Sequence, residues 1–145
     1  MLKGIDPLLS ADLLHALASA GHGDRIAIVD ANFPATRLAR RLIRLPGVDA
    51  PRALDAVLSV LPIDTFEPGP VAVMEVVGDP SAIPDTLRDF QAVLDRHGAP
   101  SPLSLERHAF YAEAADAFAV LQTGERRFYG NVLLTKGVIP PESAG

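Results

Sequence analysis

Cysteine does not occur once in the 145 residues of this sequence. A chain without cysteine has no disulfide framework, no thiol nucleophile and no thiolate ligand for a metal. Long apolar runs are also missing, since none approaches the roughly 20 residues that a membrane-spanning helix needs. The chain begins Met-Leu-Lys and soon reaches Asp6 and Pro7, which is unlike a secretory signal peptide. We therefore expect a cytoplasmic protein that does not have a membrane as its partner.

The sequence has few aromatic residues, and it has fewer basic than acidic residues. Aromatic residues make up 6% of the chain and hydrophobic residues 48%, so we expect a mainly aliphatic core. Lysine and arginine number 13 against 18 aspartate and glutamate residues, and the net charge of -5 disfavours nucleic acid as a partner. The length fits one domain, which we place at residues 1–138. Residues 139–145 have little to pack against, so we expect this tail to be disordered or to cover a neighbouring subunit.

Helix-like and strand-like segments alternate along the chain. Short aliphatic runs predict strands at 26–29, 71–77, 117–122 and 131–136. Apolar residues spaced as on one helical face predict helices that begin near residues 11, 51, 85 and 107. Residues 31–36 are expected to form a loop, and 41–45 suit either an edge strand or a helix. This alternation predicts an α/β domain whose sheet is covered by helices on both faces.

His22 is the strongest candidate for chemistry. It lies between Gly21 and Gly23 after the first predicted helix, and an imidazole titrates near neutral pH. The strand that follows ends at Asp30, at a place where α/β proteins commonly bind ligands. An imidazole and a carboxylate on the two sides of one strand indicate acid–base chemistry. The alternatives are a histidine that caps the helix end and an aspartate that only forms a turn. Asp24 either orients the imidazole or binds the local backbone.

A second group of polar residues lies near the end of the chain. Tyr129, Gly130 and Asn131 open the last predicted strand, where glycine permits a close backbone approach and asparagine offers both a donor and an acceptor. Such a trio suits a sugar, although an ordinary hairpin exit is the alternative. Arg107 and Tyr111 are four residues apart and share a helical face, although a surface arginine beside a half-buried tyrosine would look the same.

Other kinds of site find little support in the sequence. No set of histidine, aspartate and glutamate residues has convincing metal-site spacing. The segment 21–23 lacks the third glycine of a dinucleotide fingerprint, and it precedes the strand instead of following it. Ser10 and Ser104 lack the context of a nucleophile elbow. We therefore expect neither a metal nor a cofactor.

Several blocks of the sequence resemble the ribose pyranase/fucose mutarotase family. They are Met-Leu-Lys-Gly-Ile-Asp-Pro-Leu-Leu-Ser at 1–10, Gly-His-Gly-Asp at 21–24, Asp-Ala-Asn-Phe-Pro-Ala at 30–35, Arg-His-Ala-Phe-Tyr at 107–111, and Thr-Gly-Glu-Arg through Tyr-Gly-Asn at 123–131. The resemblance extends from residue 1 to about residue 138. It is closer to the L-fucose mutarotase branch because of Gly23, Phe33-Pro34-Ala35 and Arg107, whereas His108 and residues 36–41 depart from that branch.

The resemblance implies a fold, an assembly and an activity. The fold is a single-domain three-layer α/β/α sandwich. The assembly is a ring-shaped homo-oligomer, an octamer or a decamer, with monosaccharide sites near the subunit interfaces. The activity is that of an L-fucose mutarotase, with a D-ribose pyranase as the alternative among enzymes. A non-catalytic sugar-binding accessory protein of an uptake system is the alternative outside enzymes, but a simple binding protein needs no titratable group such as His22.

The resemblance also implies roles for individual residues. His22 would be the proton donor. The residues that would contact the sugar are Asp30, Arg107, Tyr129, Gly130 and Asn131. Four further polar residues are left without a role: Asp24, Asp64, His108 and Tyr111.

Overall fold

The aliphatic runs of the sequence form one six-stranded sheet in the computed structural model, which describes residues 1–142. The strands in chain order are β1 (Arg25–Val29), β2 (Leu42–Leu45), β3 (Val71–Met74), β4 (Leu103–Leu105), β5 (Ala119–Thr123) and β6 (Val132–Thr135). Their order in the sheet is β2-β5-β1-β6-β3-β4. All neighbouring pairs are parallel except those of β6, which runs antiparallel to both β1 and β3.

Five helices in residues 1–142 cover the two faces of this sheet. They are α1 (Ala11–Ser19), α2 (Ala35–Leu38), α3 (Ala50–Leu58), α4 (Asp85–Arg96) and α5 (Arg107–Asp116). The helices α1, α3 and α4 pack on one face, and α2 and α5 pack on the other. The predicted three-layer α/β/α sandwich is therefore confirmed. None of these helices is long and apolar enough to cross a membrane.

Several predicted boundaries are wrong by one to three residues, and one open alternative is decided. The loop predicted at 31–36 ends early, because α2 begins at Ala35 directly after Pro34, whose restricted φ suits a helix start. The strand predicted at 71–77 ends at Met74, because the N–H of Asp79 donates to the carbonyl of Val76 and closes a turn. The segment 41–45 contains the edge strand β2.

Two apolar clusters, one on each face of the sheet, hold the layers together. The larger cluster joins α1, α3 and α4 to the sheet through fully buried side chains such as Leu13, Leu54 and Phe90. The smaller cluster packs Phe110 of α5 and the neighbouring Phe33 against the other face. Most of the buried apolar side chains are aliphatic, as the composition predicted, although the two largest fully buried ones are phenylalanines.

The direction of the strands gives the sheet two chemically distinct edges. The ends of five parallel strands and the start of β6 lie at one edge, which we call the carboxyl edge. The opposite edge, which we call the amino edge, carries the loop before β1 and the residues after β6. Asp30 and Asn131 lie at the carboxyl edge, whereas His22 lies at the amino edge. The two groups predicted across one strand are therefore separated by the length of that strand.

Lys136, which follows β6, fixes the loop that carries His22. Its ammonium group donates to the carbonyls of Leu17 and Ala20 at 2.7 and 2.6 Å. A cation is favourable there, because the last carbonyls of a helix have no partner within the helix. The carbonyl of Lys136 accepts from the N–H of Gly23 at 2.9 Å. The end of α1 and the start of β1 are thus both tied to the end of β6.

The start of the C-terminal tail is exposed. Ile139 is 79% exposed, and the preceding Val138 is 46% exposed. The prediction that residues 139–145 are disordered or cover a neighbour falls in part on 143–145, which lie outside the described residues.

Gly124, which follows β5, offers a test of how tightly the carboxyl edge is packed. A methyl group on Gly124 would collide with the backbone carbonyl of Pro46. We therefore expect Gly124→Ala to lower the free energy of unfolding by about 1–3 kcal/mol, measured by urea denaturation. Gly47→Ala is the matched control, because its added methyl group would meet no atom within 4 Å. An equal loss of unfolding free energy in the two variants would contradict this packing.

Candidate active site

A cleft of about 310 Å³ opens at the carboxyl edge of the sheet. Its volume lies at the lower end of the range for small-molecule sites. The lining comes from four distant parts of the chain: Asp30, Asn32, Phe33, Met74, Val77, Arg107, Tyr111, Phe128, Tyr129 and Asn131. Four of the five residues that the sequence predicted to contact a sugar therefore surround one cavity.

Asp30 and Asn131 form the buried floor of this cleft. Oδ1 of Asn131 accepts from the backbone N–H of Asp30 at 2.9 Å, and Oδ1 of Asp30 accepts from the N–H of Asn32 at 3.0 Å. Burial raises the pKa of Asp30, because its charged form loses hydration, and hydrogen bonds from the backbone and Asn131 oppose this effect only in part. The floor thus offers a ligand one carboxyl group and one side-chain amide.

Tyr129 has an unusual backbone conformation beside the cleft. Its φ is 61°, and no other non-glycine residue among 1–142 has a positive φ. The hydroxyl of Thr86 lies within hydrogen-bond distance of the carbonyls of Phe128 and Tyr129, at 3.1 and 3.3 Å. The phenol oxygen of Tyr129 accepts from the N–H of Val77 at 3.1 Å. Because the oxygen accepts this bond, the phenol can still donate its own proton toward the cleft.

Helix α5 brings Arg107 and Tyr111 to the same cleft, as their spacing predicted. The carboxylate of Glu106 caps the helix by accepting from the N–H of His108 at 2.8 Å. The guanidinium of Arg107 is exposed at the rim and lies 3.4 Å from the ring of His108. The ring of Tyr111 packs edge-on against Phe33 with centroids 5.3 Å apart. Arg107 therefore presents a planar set of donors, and Tyr111 forms a wall.

Gly130 lies behind the wall of the cleft. A Cβ atom on this residue would lie 2.7 Å from Cγ of Glu125 and 3.4 Å from Cβ of Asp30. Glycine is therefore required here by the close approach of the buried Glu125 side chain. The backbone of Gly130 is one of the groups that oppose the raised pKa of Asp30, so this residue acts on the cleft through its backbone.

At the amino edge, His22 is paired with a buried carboxylate. Its Nε2 lies 3.0 Å from Oδ1 of Asp64, and the two side chains are 45% and 2% exposed. The same carboxylate accepts from the N–H groups of Phe66 and Glu67 at 3.1 and 3.3 Å. The hydrogen bond from His22, aided by these backbone bonds, lowers the pKa of Asp64 below its usual range. The ring of Phe66 lies edge-on to the imidazole at 5.2 Å. A buried anion thus orients an exposed imidazole.

Sequence reasoning left Asp64 without a role, and the fold provides one. Asp64 is 42 residues from His22 in the chain, and its N–H donates to the carbonyl of Thr135 at 2.9 Å. A single aspartate in a proline-rich loop gives no local signal of such a pairing. Asp24, the partner considered from the sequence, instead accepts from the N–H of Gly21 at 2.7 Å.

His22 and the cleft cannot act on one small ligand within a single chain. The strand β1, which separates His22 from Asp30, has five residues. It spans roughly 15 Å at about 3.3 Å per residue. Groups that exchange protons with one ligand must each lie within hydrogen-bond reach of it. The cleft and the His22–Asp64 pair are therefore separate within one chain, and we call them the two halves of the candidate site.

The fold and these two halves define a small three-layer α/β protein with a polar cleft at one sheet edge and an exposed histidine–aspartate pair at the other. The model of the RbsD / FucU transport protein family matches residues 3–139. The chain belongs to this family, which confirms the resemblance seen in the sequence.

Similar proteins match along almost the whole chain. The fucose mutarotase of Bos taurus is 43% identical, and the match covers 98% of this chain and 97% of that protein. The fucose mutarotase of Homo sapiens is 44% identical, and the match covers 95% of this chain and 94% of that protein. The crystal structure of the fucose mutarotase from Streptococcus pneumoniae in complex with L-fucose is 36% identical, with a TM-score of 0.90. That match covers 96% of this chain and 100% of the other.

The lowered pKa of Asp64 predicts how its contribution to stability depends on pH. A carboxyl group whose pKa is lower in the folded state stabilises the fold above its unfolded pKa, near 3.9, and this contribution is lost as the pH falls through the folded pKa. We expect Asp64→Asn to lower the melting temperature at pH 7, and the difference from the wild type to shrink below about pH 4.

Thermal unfolding followed by circular dichroism across this pH range measures the effect. Asp116→Asn is the control, because the side chain of Asp116 is 80% exposed and its ion pair with Arg40 lies at the surface. A difference between Asp64→Asn and the wild type that stays constant down to pH 3 would contradict the prediction.

Proposed function

We propose that this protein is a carbohydrate isomerase, a mutarotase that interconverts the anomers of L-fucose by opening and closing the sugar ring. The observation that carries the proposal is the exposed imidazole of His22 oriented by the buried Asp64, in a chain whose relatives over nearly its full length are fucose mutarotases. We assign this function to residues 1–138 as one domain, and the cytoplasmic location stays a prediction from the sequence.

Mutarotation requires only that protons move at two oxygens. A base removes the proton of the anomeric hydroxyl while an acid protonates the ring oxygen, and the bond between that oxygen and the anomeric carbon breaks. The carbonyl group rotates, and the ring closes on its other face with the proton transfers reversed. One positioned acid or base accelerates such a step roughly 10²–10⁴-fold.

His22 is the group that we assign to proton transfer at the ring oxygen or the anomeric hydroxyl. Asp64 keeps the imidazole in one orientation through their hydrogen bond at 3.0 Å. Tyr129 supplies a second hydroxyl for proton transfer, or a face on which the ring stacks. Its phenol oxygen already accepts from the N–H of Val77, which leaves the phenol proton for the sugar.

The other residues of the cleft bind the sugar hydroxyls. Asp30 and Asn131 offer acceptors and a donor on the buried floor. Arg107 has a rigid fork of donors that can bridge two neighbouring hydroxyls at the rim. Phe33 and Met74 give the cleft an apolar side, which suits the methyl group of a 6-deoxy sugar. One buried methyl group contributes about 0.8 kcal/mol, so the preference over related sugars is a graded one.

The separation of the two halves supports a homo-oligomer in which neighbouring subunits complete each site. We infer that the His22–Asp64 pair of one subunit enters the cleft of the next. Large apolar side chains are exposed beside both halves: Phe66 stands next to His22 at 69% exposure, and Val77 and Phe128 stand at the cleft at 55% and 73%. Such side chains are favourable at a contact between copies. A contact between two different surfaces repeats around a closed ring, here an octamer or a decamer.

Anomer exchange measured by saturation-transfer NMR tests the proposed function. We expect the wild type to accelerate exchange of L-fucose more than that of D-ribose. We expect His22→Ala to lose this acceleration by about 10²-fold or more, since one acid–base group is removed. The variant should keep the circular dichroism and the mass of the wild-type assembly, because the side chain of His22 is 45% exposed.

The alternatives give different results in the same experiment. Equal or faster exchange of D-ribose by the wild type would favour a D-ribose pyranase. Binding of L-fucose without accelerated exchange would favour the accessory protein of an uptake system. If His22→Ala exchanges the anomers as fast as the wild type does, His22 has no part in the mechanism.

Complementation between two inactive variants tests the shared site. His22→Ala leaves the cleft intact, and Asp30→Asn leaves the His22–Asp64 pair intact. When the two variants are co-expressed in equal amounts, about a quarter of the sites in mixed rings combine two intact halves, so we expect about a quarter of the wild-type exchange rate. A site built within one chain predicts no recovery, and sedimentation as a monomer at micromolar concentration would also contradict the shared site.

A further inference from the structure

The left-handed conformation of Tyr129 requires support from the residues around it. A φ of 61° is unfavourable for a residue with a Cβ atom and persists only where the surroundings fix it. Tyr129 belongs to the connection between β5 and β6, which also carries Gly130 and Asn131. Whatever fixes this connection therefore also fixes much of the candidate sugar site.

Within this connection, an arginine holds a buried carboxylate. Glu125 is 4% exposed. Nη2 of Arg127 donates to Oε1 of Glu125 at 2.9 Å, and Nε donates to Oε2 at 3.2 Å. The backbone N–H of Arg127 also donates to Oε2, and Nη1 donates to Asp89 of α4 at 2.7 Å. A two-point contact with a guanidinium fixes the orientation of a carboxylate.

Glu125 contacts both segments that form the floor of the cleft. Its carbonyl accepts from the N–H of Ala31 at 2.9 Å, directly after Asp30. Its Cγ lies so close under Gly130 that a Cβ atom there would come within 2.7 Å. Arg127 lies outside the lining of the cleft. Its influence on a bound sugar is therefore indirect, through Glu125 and the rest of the connection that both residues share with Tyr129.

We propose that Arg127 is a positioning residue for the mutarotase reaction: it holds the Glu125 carboxylate under Gly130 and thereby keeps Tyr129 in the conformation that directs its hydroxyl toward the sugar. This inference rests on the proposed function. Asp89 supports the arginine from α4, but its side chain is 51% exposed, so solvent can replace much of its contact. The inner contact with Glu125, whose side chain is 5% exposed, carries most of the effect.

The first test measures the rate of L-fucose anomer exchange by assembled Arg127 variants. We expect Arg127→Gln to lower kcat/KM about tenfold or more, because small displacements of reacting groups are costly. Arg127→Lys keeps the charge without the two-point contact and should retain an intermediate rate. Asp89→Asn should lie within about threefold of the wild type. Arg88→Gln is the matched control, because Arg88 lies on α4 next to Asp89 and forms only an exposed ion pair with Asp85. Its kcat/KM should equal that of the wild type.

A double-mutant cycle with Tyr129→Phe separates positioning from general loss of stability. If Arg127 acts through Tyr129, adding Arg127→Gln to Tyr129→Phe should cost less than about threefold further. If Arg127 has only a structural role, the fold-losses of kcat/KM from the two single substitutions should multiply in the double variant. Near-ultraviolet circular dichroism provides a second readout, because the sequence has two tyrosines and no tryptophan. Arg127→Gln should remove the part of the tyrosine signal that Tyr129→Phe also removes, while the far-ultraviolet spectrum stays unchanged.

Each outcome bears on one proposal. No exchange by the wild type would overturn the proposed function, and the tyrosine spectra would still test the positioning. Three results would each overturn the role of Arg127. They are an exchange rate of Arg127→Gln equal to that of the wild type, fold-losses of kcat/KM that multiply in the double variant, and a tyrosine circular-dichroism signal that Arg127→Gln leaves unchanged. If Arg127→Gln does not assemble, Arg127→Lys carries the same cycle and the same spectra.

Discussion

The antiparallel position of β6 between β1 and β3 is the constraint on which both halves of the candidate site depend. Because β6 runs against its neighbours, it begins at the carboxyl edge and ends at the amino edge. Asn131, just before it, binds the backbone of Asp30 at 2.9 Å. The carbonyls of Thr135 and Lys136, at its other end, accept from the N–H groups of Asp64 and Gly23, each at 2.9 Å. One short strand therefore fixes the cleft and the histidine–aspartate pair together.

The two buried aspartates of the candidate site have opposite preferences for charge. A hydrogen bond from His22 and two backbone N–H groups favour the ionised form of Asp64 and lower its pKa. Burial disfavours the ionised form of Asp30 and raises its pKa. Environments that separate the pKa values of similar groups are a common way to assign them different tasks. Asp64 is suited to a lasting charge beside an imidazole, and Asp30 to hydrogen bonding with a hydroxyl.

The parts of the site that could be predicted are those held together by local geometry. Tyr129, Gly130 and Asn131 are adjacent in the chain, and Arg107 and Tyr111 are one helical turn apart, so their proximity followed from spacing alone. The structure brings all but Gly130 to the lining of one cleft, and Gly130 supports that lining through its backbone. Their contacts with a sugar, like the proton transfer assigned to His22, stay predictions. The missed start of α2 depends on the restricted φ of Pro34, and the missed end of β3 depends on a single hydrogen bond; periodicity resolves neither.

By itself, the sequence determined the layers of the fold, because the spacing of apolar residues along a helix or a strand is a local property that selects which face is buried. It also determined that polar residues would stand where the strands begin and end. The tertiary structure decided which of them became neighbours. It paired His22 with Asp64 across 42 residues and joined the carbonyl of Glu125 to the N–H of Ala31. These relations depend on the order and direction of the strands, which arise from packing between distant segments and leave no trace in local spacing.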